Sequence, residues 1–242
     1  MRRRKSIGAN ALAVAVMVRR AADRGASFLV TPELILTGYH GGFSQPERDW
    51  TIEAILKPAC RRHRMTLMLG AGSFKDAHGK NTRKPFIQVV VIGPQGEIIG
   101  VHSKTVPTDG DLKWCSAGRP RDLRVFQSGG LKFGATICND FWATPGFTSL
   151  PDLNLPVRLA ALGARVVFHS IASGHGAAYR DFHTMRMEER AIRAGIFVVS
   201  ANCAENPRKP VNAPSGIVDP HGRWLVRAPL TGEGIYTGRI RV

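Results

Sequence analysis

An α/β fold, with helices covering layered mixed sheets, is predicted by three observations on this 242-residue chain. Apolar β-rich runs alternate with amphipathic stretches of helical period. Several of those runs are joined by tight Gly/Pro turns as hairpins, which a purely parallel sheet does not allow. An apolar content of 43% over this length supplies one sizeable core without a disulfide or metal staple. No internal repeat, low-complexity tract or Gly/Ser linker interrupts the chain, so residues 1–242 are expected to form a single domain.

The elements follow in order. Residues 10–24 read as a helix with Asn10 as N-cap and Gly25 as stop. The run FLV within 27–31 is a short buried strand ahead of Pro32-Glu33. Residues 47–63 have helical character, interrupted or kinked by Pro58. Runs 66–74 and 85–94 are β-rich, and PQGE turns the second into EIIGVHSK, a hairpin over 86–104. A second hairpin spans 123–138 through SGG. Then come a helix in LPVRLAALG, a strand in ARVVFHSI, a charged amphipathic helix over 180–195 and a strand in IFVVSANC. SGIVDPHGRWLV forms a third hairpin, and GIYTGRIRV closes the chain as an edge-like strand.

The formal net charge is +16, from 34 Lys+Arg against 18 Asp+Glu. Such an excess favours polyanionic partners in general. However, the basic groups are scattered, aromatic content is 7%, and no helix-turn-helix, zinc-finger or RNA-recognition pattern is present. Neither specific nucleic-acid binding nor membrane association is therefore expected. MRRRK followed by IGANALAVAVMV imitates a signal peptide, yet the run meets Asn10 and ends at Arg19-Arg20 without a small-residue cleavage site. A buried helix and a cytoplasmic protein are expected instead. Residues 1–9 are assigned no element beyond a basic, disordered segment.

The four cysteines form no C-x-x-C pair and no zinc-like spacing with histidine. Cys138 differs from the others, because it ends the apolar run LKFGATI and begins the polar NDFW. A thiol at a strand end, with free backbone N–H groups just beyond, is placed for nucleophilic attack with oxyanion support. Glu33 and Lys104 also stand at strand ends. If the three ends converge, covalent acyl transfer follows: Glu33 takes the thiol proton, Cys138 attacks, and Lys104 with the Asn139 N–H stabilises the oxyanion. The alternative is a Glu33–Lys104 salt bridge beside an inert cysteine. His169, His175 and His183 have no adjacent acidic ligand, and no metal site is expected. ASGHG at 172–176 and GAGS at 70–73 match no nucleophile elbow, dinucleotide fingerprint or phosphate loop.

TPELILTGY (31–39), HSKTVP (102–107) and GATICND (134–140), in that order, resemble the three signature blocks of the nitrilase (carbon–nitrogen hydrolase) superfamily. RLAALGARVVFHS (158–170), RMEERAIRAGIFVVSANC (186–203) and SGIVDPHGRWL (215–225) resemble its later blocks. The resemblance implies a four-layer α-β-β-α sandwich, a homodimer or higher homo-oligomer, and chemistry with no metal or organic cofactor. It implies Glu33 as general base, Lys104 as catalytic lysine and Cys138 as nucleophile forming a thioester with an amide, N-carbamoyl or nitrile substrate.

Two features depart from the pattern. Many members carry a further glutamate soon after the lysine block, where KTVPTDGDLKW offers only Asp111, either a positioning group or a turn residue. MRRRKSIG stands where members carry a strand, so the first strand is expected to be missing or truncated. Phe141 and Trp142 are equally placed to form a substrate wall or core packing. The expected function is hydrolysis of an amide or N-carbamoyl bond, with nitrile hydrolysis as the variant within the class. A catalytically silent, truncated member serving as a basic binding protein is the alternative from another class.

Overall fold

A computed structural model describes residues 6–242. The chain begins with α1 (Ile7–Ala22) and β1 (Phe28–Val30), then α2 (Gln45–Thr51), a π-turn (Ile52–Leu56) and α3 (Lys57–His63) in continuous succession. The hairpins β2 (Thr66–Lys75), β3 (Asn81–Ile92) and β4 (Ile98–Ser103) follow, then α4 (Asp109–Leu112), β5 (Phe126–Ser128), β6 (Leu131–Ile137) and α5 (Asn139–Trp142). The remainder is α6 (Leu155–Ala161), β7 (Val166–Ile171), α7 (Arg180–Ala194), β8 (Phe197–Asn202), β9 (Gly216–Val218) and β10 (Trp224–Arg227).

Two mixed sheets result, in the orders β1-β2-β3-β4 and β10-β9-β8-β7-β6-β5. Period-2 alternation builds the layers. In β3, Ile87, Val89 and Val91 join Phe133, Ala135 and Ile137 of β6 in the inter-sheet core, while Val90 and Ile92 face the other way. There they meet Ala11, Val14 and Val18 of α1 with Ile52, Leu56 and Cys60. On the far side, Leu159 of α6 and Met187 and Ala191 of α7 cover the second sheet. The order helix, sheet, sheet, helix is the expected four-layer sandwich. Phe28, Phe133 and Phe168 seal it between the sheets, with ring centroids 5.3–5.8 Å apart.

Three sequence expectations are corrected. The N-cap of α1 is Ser6, whose hydroxyl accepts from the Ala9 N–H. Asn10 lies inside the helix and donates its amide to the Leu36 carbonyl at 2.9 Å, so a buried tertiary bond takes the side chain away from capping. Ile7–Ala9 are therefore helical, while the rest of the expected basic segment, residues 1–5, lies outside the described residues. Part of the missing-strand expectation falls there too; among the described residues no strand precedes α1.

As expected, the α-helix is interrupted beside Pro58: the π-turn Ile52–Leu56 separates α2 from α3, and Pro58 stands in the first turn of α3, where a missing N–H is tolerated. Finally, residues 234–242 form no strand. Ile235 and Ile240 anchor this tail by packing, and Arg24 donates to the Ile235 carbonyl at 2.5 Å. The tail and β1, which among the described residues pairs only with β2, flank a groove of about 570 Å³. No described helix is long and apolar enough to cross a membrane.

Candidate active site

The ends of β1, β4 and β6 come together at one edge of the sandwich. β1 runs into Thr31-Pro32-Glu33, and the Thr31 hydroxyl donates to the Met68 carbonyl while accepting from the Gly70 N–H. The Glu33 N–H crosses to the Ile171 carbonyl of the second sheet. Gly70 of β2 is required here by close approach: a Cβ would lie 2.1 Å from the Pro32 carbonyl oxygen and 3.0 Å from the Glu33 Cα. Lys104 follows β4, its N–H bonded to the Ile87 carbonyl.

Cys138 sits between β6 and α5 at φ 46°, ψ −111°, a conformation that costs an L-residue about 1–3 kcal/mol. Leu34, next to Glu33, is also left-handed at φ 51°. Strain of this kind needs support, and Cys138 has it. Its N–H donates to the Ser170 carbonyl at 2.9 Å and its carbonyl accepts from Phe141.

The charged groups converge. Lys104 Nζ donates to Glu33 Oε1 at 2.7 Å and to Asp111 Oδ2 at 2.8 Å, with all three side chains buried. Asp111 lies in α4, where Thr108 and Asp111 form a reciprocal capping box. It also accepts from the Tyr39 hydroxyl and the Thr108 N–H. Asp111 is thus a turn residue by backbone and a charge-positioning residue by side chain; the two sequence readings describe one group.

Burial pulls the two carboxylates the same way, but their partners separate them. For Asp111, burial opposes ionisation, yet the Lys104 charge and the bonds from Lys104, Tyr39 and Thr108 outweigh it, and its pKa is lowered. For Glu33, burial dominates over attraction to Lys104, the Asp111 charge adds to it, and the pKa is raised to about 7. Burial also disfavours the Lys104 ammonium, but Glu33, Cys138, Tyr39 and Asp111 hold it well above its usual range. A fixed Asp111–Lys104 pair therefore leaves Glu33 as the group able to exchange a proton near neutrality.

The Cys138 thiol is pushed up to about 12 by burial and by the Glu33 charge, against the pull of Lys104 and a hydrogen bond from the Ala172 backbone. It rests as a neutral thiol. Cys60 and Cys115 are likewise pushed up to about 12, mainly by burial, so backbone placement rather than acidity distinguishes Cys138. All four cysteines are free and buried.

Asn139 opens α5, the position whose N–H the helix itself leaves unused. Its side-chain oxygen accepts from Thr144, while its buried Nδ2, like Glu33 Oε2, has no protein partner. Of its two readings, Trp142 takes core packing: it is almost completely buried, stacks on His183 at 4.3 Å and meets His169 edge-on at 4.7 Å, and its Nε1 has no protein partner. His169 is buried and pushed down to about 3, a neutral packing histidine. Among the described residues no group of three or more His, Cys, Asp or Glu is placed to hold a metal ion.

Sequence reasoning missed Gly70, His102 and Asp140. Gly70 stood in view within GAGS, but its close contact with the Glu33 segment is not visible in the string. Asp140, a carboxylate two residues beyond the thiol, was the one available signal.

The carbon–nitrogen hydrolase family model matches residues 3–242. No curated protein matches the chain. Among solved structures, a cysteine-to-alanine mutant of the Nesterenkonia AN1 amidase from the nitrilase superfamily is similar, with TM-score 0.78 and 20% identity over 95% of this chain and 84% of that one. A glutamate-to-glutamine mutant of the amidase from Nesterenkonia sp. AN1, showing covalent addition of the acetamide moiety of fluoroacetamide at the active site cysteine, gives TM-score 0.78 and 20% identity over 96% and 84%. A cysteine-to-alanine mutant of the amidase in complex with butyramide gives TM-score 0.77 and 21% identity over 96% and 84%.

Proposed function

Because the chain belongs to the carbon–nitrogen hydrolase family, we propose that it hydrolyses a small non-peptide amide through a thioester on Cys138. The observation that carries this reading is the buried Lys104 ammonium held between Glu33 and Asp111 beside a cysteine strained into a left-handed turn. A structural salt bridge needs one carboxylate; a second one, and a Glu33 pKa raised to about 7, suit proton transfer.

In the forward step Cys138 Sγ bonds the amide carbon while its proton passes to Glu33. The oxyanion is held by Lys104 Nζ and the Asn139 N–H, and the unpartnered Asn139 Nδ2 is a further donor for the substrate. Glu33 then protonates the departing nitrogen, the C–N bond breaks and ammonia leaves. Water next gives a proton to Glu33 as its oxygen bonds the acyl carbon. The C–S bond breaks, its electron pair returns to Sγ, and Glu33 restores the thiol proton. The balance is amide plus water to carboxylic acid plus ammonia.

Short aliphatic amides come first among substrates, because the similar amidase is named with butyramide and with fluoroacetamide's acetamide moiety. N-carbamoyl compounds and nitriles are the other chemistries the same nucleophile serves. Ammonia release from a panel of short amides, N-carbamoyl amino acids and nitriles tests the reading, with C138A as control. Turnover by wild type and none by C138A is expected. Equal ammonia from both overturns the thioester on Cys138, and none from either together with four equally sluggish thiols toward iodoacetamide overturns the hydrolase and leaves the silent basic binding protein. The homodimer is part of the same proposal, and sedimentation at micromolar concentration tests it.

A further inference from the structure

The candidate catalytic groups are divided between the two sheets. Glu33 and Lys104 hang from β1 and β4 of the first, Cys138 from β6 of the second. Side-chain packing alone leaves two sheets free to slide by fractions of an ångström, whereas a reacting constellation tolerates little misplacement. Something must fix the Lys104 segment to the Cys138 segment.

Asp140 is built for this. Its Oδ1 accepts from the Thr105 N–H at 2.7 Å and the Val106 N–H at 2.8 Å. Its Oδ2 accepts from the Ile137 N–H at 3.0 Å and from His102 Nε2 at 2.7 Å. Thr105 is the residue after Lys104, and Ile137 the residue before Cys138. One carboxylate thus bonds the immediate neighbours of both groups, across the inter-sheet boundary. His102, the last residue but one of β4, adds a third anchor on the lysine side. An ionised carboxylate has about four acceptor sites, and all four are used here, so Asp140 has no capacity left to bind substrate or move a proton. Glu33 is tied across the sheets separately, through its N–H to the Ile171 carbonyl.

We infer that Asp140, supported by His102, is a positioning residue that pins the Lys104 loop to the Cys138 turn across the two sheets. The inference rests on the proposed hydrolase reading only for the identity of the groups being positioned. Loss of the clamp leaves the substrate's other contacts in place and loosens the spacing between nucleophile and oxyanion stabiliser, so kcat falls and KM does not.

D140N and H102F test this. D140N sets an amide NH₂ against backbone donors; because a 1 Å misplacement costs on the order of 10²-fold, kcat is expected to fall about 100-fold, with KM within about 3-fold. H102F, which removes one of four bonds, is expected to lose about 10-fold, and H102Q, which restores a donor, less than H102F. Cooperative thermal melting identifies variants that fold; if D140N does not, H102F carries the test. Cys138 alkylation by iodoacetamide, read by peptide mass spectrometry, needs no substrate and is expected to slow about 10-fold in D140N as Lys104 is displaced from the thiol. Wild-type kcat and alkylation rate in folded D140N or H102F overturn the inference while leaving the hydrolase reading intact. Slowed alkylation in D140N supports the clamp even alongside a wild type that releases no ammonia from the panel, so the two readings fail separately.

Discussion

The cluster of Glu33, Lys104, Asp111 and Asp140 and the groove beside β1 are built on opposite terms. In the cluster every charged side chain is buried, Lys104 answers two carboxylates and Asp140 answers three backbone donors and a histidine. Along the groove a three-residue strand has one described neighbour, and the facing tail is largely exposed and outside any ladder. The contrast shows where this sandwich invests its order. Local stability follows the density of buried contacts and closed hydrogen bonds. Changes in the cluster should therefore act on kcat, and changes along the groove on stability alone.

The largest effect is expected from Lys104→Ala. It removes the proposed oxyanion stabiliser, for a loss on the order of 10³-fold in kcat. It also leaves two buried carboxylates facing each other, for about 3–5 kcal/mol of stability, read by chemical denaturation. Gly70→Ala comes next. The added Cβ must displace the Pro32–Glu33 backbone, so about 1–3 kcal/mol of overpacking and a kcat loss on the order of 10-fold to 100-fold are expected. Retention of wild-type kcat by that variant would show that the Glu33 segment moves without consequence.

Two pH measurements sharpen the electrostatics. As the proposed base, Glu33 must be ionised to take the thiol proton, so the rate is expected to rise with pH through about 7. The Asp111 charge contributes to that raised value; Asp111→Asn should shift the acid limb to lower pH while lowering kcat. An unmoved limb would assign the titration to another group. For stability the sign is opposite. A carboxyl raised from 4.5 to about 7 on folding contributes stability fully present below pH 4.5 and lost as pH rises to about 7. Glu33→Gln lacks that loss, so its melting temperature relative to wild type should climb across this window. The smallest effect is expected at the groove: Ile240→Ala should cost about 1 kcal/mol by loss of packed area and leave kcat unchanged.

The layered sheets and three strand-end groups were legible because each is a local contrast, an apolar run ending in a polar residue. Cys138, Glu33 and Lys104 all carry that contrast. Asp140 and Gly70 were not legible in role, because the Thr105 and Val106 N–H groups that Asp140 accepts from and the Pro32 carbonyl that crowds Gly70 are backbone atoms of distant segments, which leave no trace in side-chain type. Asn10 misled for a related reason, since a capping residue and a buried tertiary donor look alike in a string. The final strand failed because β-propensity is realised only against a neighbour, and the tail has packing anchors without a ladder. The +16 charge pointed to no site, whereas the proposed chemistry gathers around one buried lysine.

The most direct test of the central claim is peptide mass spectrometry of the protein quenched during turnover of a short amide. An acyl adduct confined to Cys138, accumulating in wild type and absent in E33Q and C138A, is the expected result. An adduct on Cys60, Cys115 or Cys203, or ammonia released by C138A at the wild-type rate, would contradict it.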